Sequence, residues 1–204
     1  MKKIDFWTPY FGNVGTIKAT INSAEAIKKY SKSEVEISLF KIHSEWEGYE
    51  EDILEKNINI VDFNLKKYFK NLPQFNLLYR FSMIFIMLYS IPKLVSYFNK
   101  NKPDVIMAYL QGVTPLIARI FSKHKPKIIL SIQGLPDFLA SKEAYDSYPI
   151  YKKIESKIRI LLWKLLYLKA DAILTLTQKT KDKLIIFFNC EDKIIFVSNP
   201  VIDN

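Results

Sequence analysis

The sequence has few of the residues that build metal centres and disulfide frameworks. It contains one cysteine, Cys190, and two histidines, His43 and His124. A single cysteine excludes an internal disulfide, and two histidines leave little for a zinc site of ordinary spacing. Cys190 has no activating neighbour in sequence and reads as inert. Both histidines read as surface residues, His124 within the turn Lys123-His124-Lys125. Arginine is also scarce: Arg80, Arg119 and Arg159 are the three among 30 basic residues. No Ser-His-Asp set, no close carboxylate pair and no H-E-x-x-H motif can be picked out. Glycine numbers five in 204 residues and no low-complexity linker breaks the chain, which excludes collagenous and disordered classes.

Long hydrophobic runs are lacking too. The longest lies between Arg80 and Lys93 and is closed by Pro92. A membrane-spanning helix needs about 20 apolar residues, so this run is too short to cross. The N-terminus, Met1-Lys2-Lys3-Ile4-Asp5, enters a strand-like run at once and has no signal-peptide core. A reduced, cytoplasmic setting fits these absences.

What the chain does have is apolar mass, at 49%, and a net charge of +9. The charge is localised. Between Asp62 and Asp104 no acidic residue occurs, while Lys66, Lys67, Lys70, Arg80, Lys93, Lys100 and Lys102 all do. The same window is rich in aromatics, Phe81 and Phe85 among them. An acidic stretch from Glu45 to Glu55 precedes it, and a second basic cluster runs from Lys152 to Lys169. Charge placed this way concerns partners rather than fold. The window reads either as a helix packed on a sheet with its lysines solvated, or as a face that rests on anionic lipid, with Lys66, Lys67, Lys70, Arg80, Phe81 and Phe85 as contacts. The shortage of arginine and the absence of a recognition motif argue against nucleic acid.

Strand-like and helix-like segments alternate. Strands are expected at Lys3–Thr8, Val35–Phe40, Ile58–Val61, Val105–Tyr109, Lys127–Ile132, Ala172–Leu176 and Ile194–Val197. Helices are expected at Thr16–Tyr30, through the basic window, at Thr114–Ser122, at Pro149–Lys169 and at Gln178–Phe188. The fourth carries an apolar ladder of Ile150, Ile154, Ile158, Leu161, Leu165 and Leu168, which marks it as amphipathic. This alternation predicts one α/β domain over residues 1–204, doubly wound around a mostly parallel sheet.

In such sheets, ligands bind beyond the carboxyl ends of strands. Three loops there carry polar chemistry. Gly12-Asn13-Val14-Gly15 leads straight into a helix, where backbone N–H groups and the helix dipole can face a phosphate. Gln111-Gly112 follows one central strand, and Gln133-Gly134-Leu135-Pro136-Asp137 follows the next. Each alone is ordinary turn chemistry. Together, Gln111, Gln133, Gly134 and Asp137 suggest a polyhydroxylated ligand.

The order of segments resembles the N-terminal half of a GT-B glycosyltransferase of family four, of the type that builds bacterial surface polysaccharides. The pieces that carry the likeness are the Gly12–Gly15 loop, Lys102-Pro103-Asp104-Val105, Ile128 through Asp137, Lys169-Ala170-Asp171-Ala172-Ile173, and Ile194 through Asp203 with its Asn199-Pro200-Val201. The resemblance implies a single Rossmann-like domain without the second, donor-binding domain, and catalysis incomplete alone. It implies that Gly12, Asn13, Val14 and Gly15 face the donor diphosphate, and that Gln111, Gln133, Gly134 and Asp137 line the acceptor side. Gln133 stands where many relatives have a histidine. The implied activity moves a sugar from a nucleotide-sugar co-substrate, without a metal, to a polyprenyl-diphosphate-linked glycan. The expected place is the inner face of the cell membrane, with anionic lipid and a separate donor-binding domain as further partners and no nucleic acid. The alternative is a non-catalytic, membrane-peripheral binding or scaffold protein on a retained Rossmann-like fold.

Overall fold

The computed structural model describes residues 1–10, 15–68, 76–136, 139 and 145–198. Its strands are β1 (Lys2–Trp7), β2 (Val35–Lys41), β3 (Asn59–Asp62), β4 (Val105–Ala108), β5 (Lys127–Ile132), β6 (Ala172–Thr175) and β7 (Ile194–Phe196). All pair in parallel in the order β3-β2-β1-β4-β5-β6-β7. The doubly wound α/β architecture expected from the sequence is the one present. Each strand lies within two residues of its expected span.

The helices are α1 (Gly15–Tyr30), α2 (Glu50–Glu55), α3 (Leu65–Tyr68), α4 (Asn76–Asn101), α5 (Val113–Phe121), α6 (Ile150–Leu166) and α7 (Gln178–Phe188). A 3₁₀ turn, Tyr167–Lys169, follows α6. Strand residues alternate between two cores. Phe6, Ile37, Leu39 and Met107 meet Ile17, Ile21 and Ala24 of α1 on one face. Trp7, Phe40, Ile106, Ile128 and Leu130 meet Leu94 and Phe98 of α4, Leu116 of α5 and Leu184 of α7 on the other. Strands buried on both faces read as near-continuous apolar runs, which is why they were visible in sequence.

Pro92 does not close a helix. It sits inside α4, which continues to Asn101. A proline removes the hydrogen bond to the carbonyl four residues earlier. That carbonyl belongs to Leu88, a residue 60% exposed, so the break lies on the solvent side of the helix. At about 1.5 Å per residue α4 is long enough to cross a bilayer. Among the described residues, however, no helix is both long and apolar enough to do so.

Part of the basic window is ordinary core. Ile86, Leu94 and Phe98 are fully buried, the Tyr89 hydroxyl donates to the Phe63 carbonyl at 2.8 Å, and Lys93 lies over the Tyr89 ring. His43 is also buried, contrary to its expected surface position, with Nδ1 3.0 Å from the Ser44 hydroxyl. His124 is half-buried and bonds the Pro103 carbonyl through Nε2 at 2.7 Å. The α6 ladder is present but inverted: Ile150, Ile154, Ile158, Leu161 and Leu165 all face solvent. The side that meets the core carries Trp163, which stacks on Tyr167 of the next turn, ring centroids 4.0 Å apart, and on Phe188 of α7 at 6.3 Å.

Candidate functional site

The strand order reverses between β1 and β4, the point at which doubly wound sheets leave a crevice for ligands. A cavity of about 240 Å³ opens one strand over from that point, at the carboxyl ends of β4 and β5. Gln111 and Gly112 line it from one strand end, Gln133 and Gly134 from the next, and Arg159, Trp163 and Tyr167 from α6 and its 3₁₀ turn. Three of the four residues expected on the acceptor side are therefore brought together. The fourth, Asp137, lies outside the described residues.

Each lining residue is held by a local cause. Gln111 takes a left-handed backbone, φ 48°, which is uncommon for a side chain of its size and marks a position fixed by its surroundings. Its Nε2 lies 3.5 Å from the Met83 sulfur, while its Oε1 is buried without a hydrogen-bond partner. An unpaired buried acceptor costs about 1–3 kcal/mol, so a hydroxyl donor from a ligand is favoured at that oxygen. Gln133 donates through Nε2 to the Ser131 hydroxyl at 2.6 Å.

Gly112 opens α5, and a Cβ there would sit 2.6 Å from Leu130 Cδ2 and 3.3 Å from the Tyr167 hydroxyl. Any larger residue there would force Leu130, and the Tyr167 hydroxyl with it, to give way. The start of α5 consequently borders the cavity, although the Thr114 N–H is already bonded to the Gln111 carbonyl at 3.0 Å and Pro115 has no N–H to offer. At Gly134 a Cβ would meet nothing within 4 Å, so that glycine is not demanded by packing.

Arg159 supplies the cavity's cation and bonds Glu155 at 2.6 Å. Burial holds the Tyr167 phenol well above its ordinary range, with Arg159 opposing that effect, so it stays a neutral hydroxyl. Sequence reasoning missed Arg159, Trp163 and Tyr167, which it read only as parts of an amphipathic helix. That Arg159 is one of three arginines was the available signal.

The first loop is anchored at both stems. Of its residues, Gly12, Asn13 and Val14 lie outside the described residues, and Gly15 is the first residue of α1. On the strand side, the Tyr10 N–H donates to Glu45 Oε1 at 3.2 Å. On the helix side, the Thr8 and Thr20 hydroxyls meet at 3.0 Å, and Thr20 donates to the Thr16 carbonyl at 2.8 Å. Glu45 is fully buried, and desolvation pushes its carboxyl up to about 7 although three backbone N–H groups bind it. Sequence reasoning missed this residue too, inside an acidic run that looked solvated.

Among the described residues, neither Thr177 and Gln178 at the end of β6 nor Lys66 and Lys67 line the cavity. Thr177 caps α7 by accepting from the Thr180 N–H at 3.1 Å, and Gln178 bonds Asp182. Lys66 of α3 forms an ion pair with Glu47, and Lys67 is exposed beside it. Lys70 lies outside the described residues, and Arg80 and Phe81 fall within α4. Phe85 is 37% exposed and stacks on Tyr89. Among the described residues no three His, Cys, Asp or Glu side chains come together as metal ligands would.

The sequence profile of Glycosyltransferase Family 4 matches residues 43–204. The chain belongs to that family. The match takes in the cavity and leaves β1, the first loop, α1 and β2 to be placed by structure. No curated protein sequence matches the chain.

Solved structures agree on the fold. The apo form of the lipopolysaccharide outer core galactosyltransferase WaaB superposes with a TM-score of 0.55 at 14% identity, covering 98% of this chain and 46% of WaaB. Anabaena HepE in complex with UDP and glucose gives 0.54 at 13%, covering 98% and 45%. The UDP-GlcNAc 2-epimerase of Neisseria meningitidis bound to UDP-GlcNAc gives 0.57 at 16%, covering 98% and 47%. The chain thus spans a little under half the length of each, corresponding to the N-terminal half of the GT-B glycosyltransferases.

Proposed function

We propose that this chain is the acceptor-binding half of a glycosyltransferase that moves a sugar from a nucleotide-sugar to a lipid-linked glycan in surface polysaccharide synthesis. The observation that carries the reading is the cavity at the ends of β4 and β5, whose wall includes Gln111, with its buried and unpartnered Oε1, Gln133 and Arg159. Two amides suit the hydroxyls of a sugar. Arg159 suits a phosphate, because its planar guanidinium has five donors and Glu155 occupies only part of them.

In this reading the Gln111 oxygen accepts a hydroxyl proton of the acceptor sugar, and the Gln133 amide orients it from the adjacent strand. Arg159 holds the acceptor diphosphate. The volume, about 240 Å³, falls just below the usual range of roughly 300–1,000 Å³ for ligand pockets, as suits the terminal unit of a longer acceptor. The first loop, with both stems clamped, faces the donor diphosphate. A donor-binding domain completes the reaction centre, no metal is assigned, and the protein works at the inner face of the cell membrane.

Calorimetry with a short-chain, water-soluble polyprenyl-diphosphate sugar tests the acceptor site, and transfer of radiolabelled sugar in the presence of a family donor-binding domain tests the reaction. Saturable acceptor binding that weakens in Arg159→Gln is expected. An absence of both binding and transfer overturns the proposal and leaves the scaffold reading, which the basic helical layer favours.

A further inference from the structure

Three helices lie side by side on one face of the sheet, since α5 packs against both α4 and α6. Within their spans stand nine basic residues and one acidic residue, Glu155. The opposite layer, α1 and α2, holds three basic and five acidic residues. Nearly all of the net charge of +9 therefore sits on one side of the molecule.

The apolar surface of α6 is on that side. Ile150, Ile154, Ile158, Leu161 and Leu165 are each between 54% and 78% exposed. Stepped at about 100° per residue, they fall within an arc of about 80°, opposite the buried Ser156 and the core-facing Trp163. Lys153, Lys157 and Lys164 border this arc along one edge. Glu155 is bound to Arg159, so the lysines of α6 have no carboxylate on their own helix to neutralise them. In the same layer, Ile84 and Leu88 of α4 are 50% and 60% exposed.

An apolar stripe edged by uncompensated lysines matches the boundary between acyl chains and anionic headgroups, where the stripe is buried and the lysines reach the phosphates. We infer that the exposed stripe of α6, in the same helical layer as Ile84 and Leu88 of α4, is the surface on which this protein docks onto an anionic lipid bilayer. The basic stretch at α3, where Lys66 is already paired with Glu47, is not the contact. The inference deepens the lipid-linked acceptor reading and rests on it for its purpose. The docked helix also contributes Arg159 and Trp163 to the cavity, so the acceptor would enter from the lipid side.

Vesicle sedimentation tests this without any sugar. The wild-type chain should bind vesicles of phosphatidylcholine with phosphatidylglycerol, bind neutral phosphatidylcholine vesicles far more weakly, and lose binding in high salt. Lys153→Gln with Lys157→Gln should weaken binding about 30-fold, from roughly fivefold per lysine. Ile154→Gln with Leu161→Gln should abolish it while the thermal midpoint stays put, because both side chains are already exposed. Lys66→Gln with Lys67→Gln should leave it unchanged.

Absence of wild-type binding overturns the inference, as does equal binding to neutral and anionic vesicles. So does loss of binding in the α3 variant with α6 variants unaffected. A wild-type chain that sediments as a dimer and becomes monomeric in Leu161→Gln would assign the stripe to a second copy and overturn it equally. Binding of a soluble acceptor in the cavity is read separately, so failure here does not remove the proposed function.

Discussion

Glu45 ties the end of β2 to Tyr10 just past the end of β1: its Oε1 accepts the Tyr10 N–H at 3.2 Å, while Oε2 accepts those of Ile42 and His43 at 3.0 and 2.8 Å. One buried side chain thus holds two strand ends and the entrance to the first loop. A glutamine has one acceptor oxygen where the glutamate has two, so Glu45→Gln must leave either Tyr10 or the other pair unpaired. The expected loss is about 1–3 kcal/mol, read as a lower urea midpoint. An unchanged midpoint would show that the carboxylate is not a structural tie.

Acid–base behaviour should report on Asp5. Burial pushes its carboxyl up to about 7, against the opposing effect of the Tyr97 and Ser38 hydroxyls, with Glu36 raising it further and Lys3 lowering it. Its Oδ2 has no hydrogen-bond partner. The folded protein therefore keeps a proton that the unfolded chain releases near pH 4. Stability is greatest at or below that pH, falls as the pH rises, and levels off above about 7. Glu45, raised to about 7, adds a fall of the same sign. Asp5→Asn is neutral throughout. Its urea midpoint should exceed that of the wild type above pH 7, with the gap closing towards about pH 4. A gap independent of pH would refute the assignment.

The elements legible in the sequence and those that were not differ for physical reasons. β4 and β5 were legible because a strand covered on both faces leaves no room for polar side chains, as Ile128, Ile129 and Leu130 show. Gln111 and Gln133 were legible as residues lining a cavity because they follow the carboxyl ends of two central strands. The orientation of α6 was not. Helical period places Ile154, Ile158 and Leu161 on one face but does not say which face meets the sheet, and the Trp163–Tyr167 stack took that place. Glu45 was hidden because its burial depends on strands far away in sequence. Gly12, Asn13, Val14 and Asp137 lie outside the described residues, so their expected roles stay proposals.

Gly112 separates a packing requirement from a binding one. Gly112→Ala places a methyl 2.6 Å from Leu130 Cδ2, and Leu130 is itself only 1% exposed, so it has little room to move. The expected cost is about 1–3 kcal/mol of stability, together with narrowing of the cavity. Gly134→Ala, where a Cβ would meet nothing within 4 Å, should leave stability unchanged within about 0.5 kcal/mol. Equal effects of the two substitutions on the urea midpoint would contradict this account.

The two amides of the cavity differ from the neighbouring Thr177 in what their loss should cost. Gln111→Ala removes an unpartnered buried acceptor, so the free protein should be no less stable for its loss. Acceptor affinity should nevertheless fall about two- to tenfold, the equivalent of one hydrogen bond of roughly 0.5–1.5 kcal/mol. Gln133→Ala frees the Ser131 hydroxyl from its 2.6 Å bond and should weaken the acceptor by a similar factor. Thr177→Ala makes the contrast. It lies at the end of a neighbouring strand but only caps α7, so it should cost about 1 kcal/mol of stability and leave acceptor binding alone. Calorimetric titration of the three variants with a short-chain polyprenyl-diphosphate sugar separates these effects. Weaker binding in Thr177→Ala with none in Gln111→Ala would move the acceptor away from this cavity.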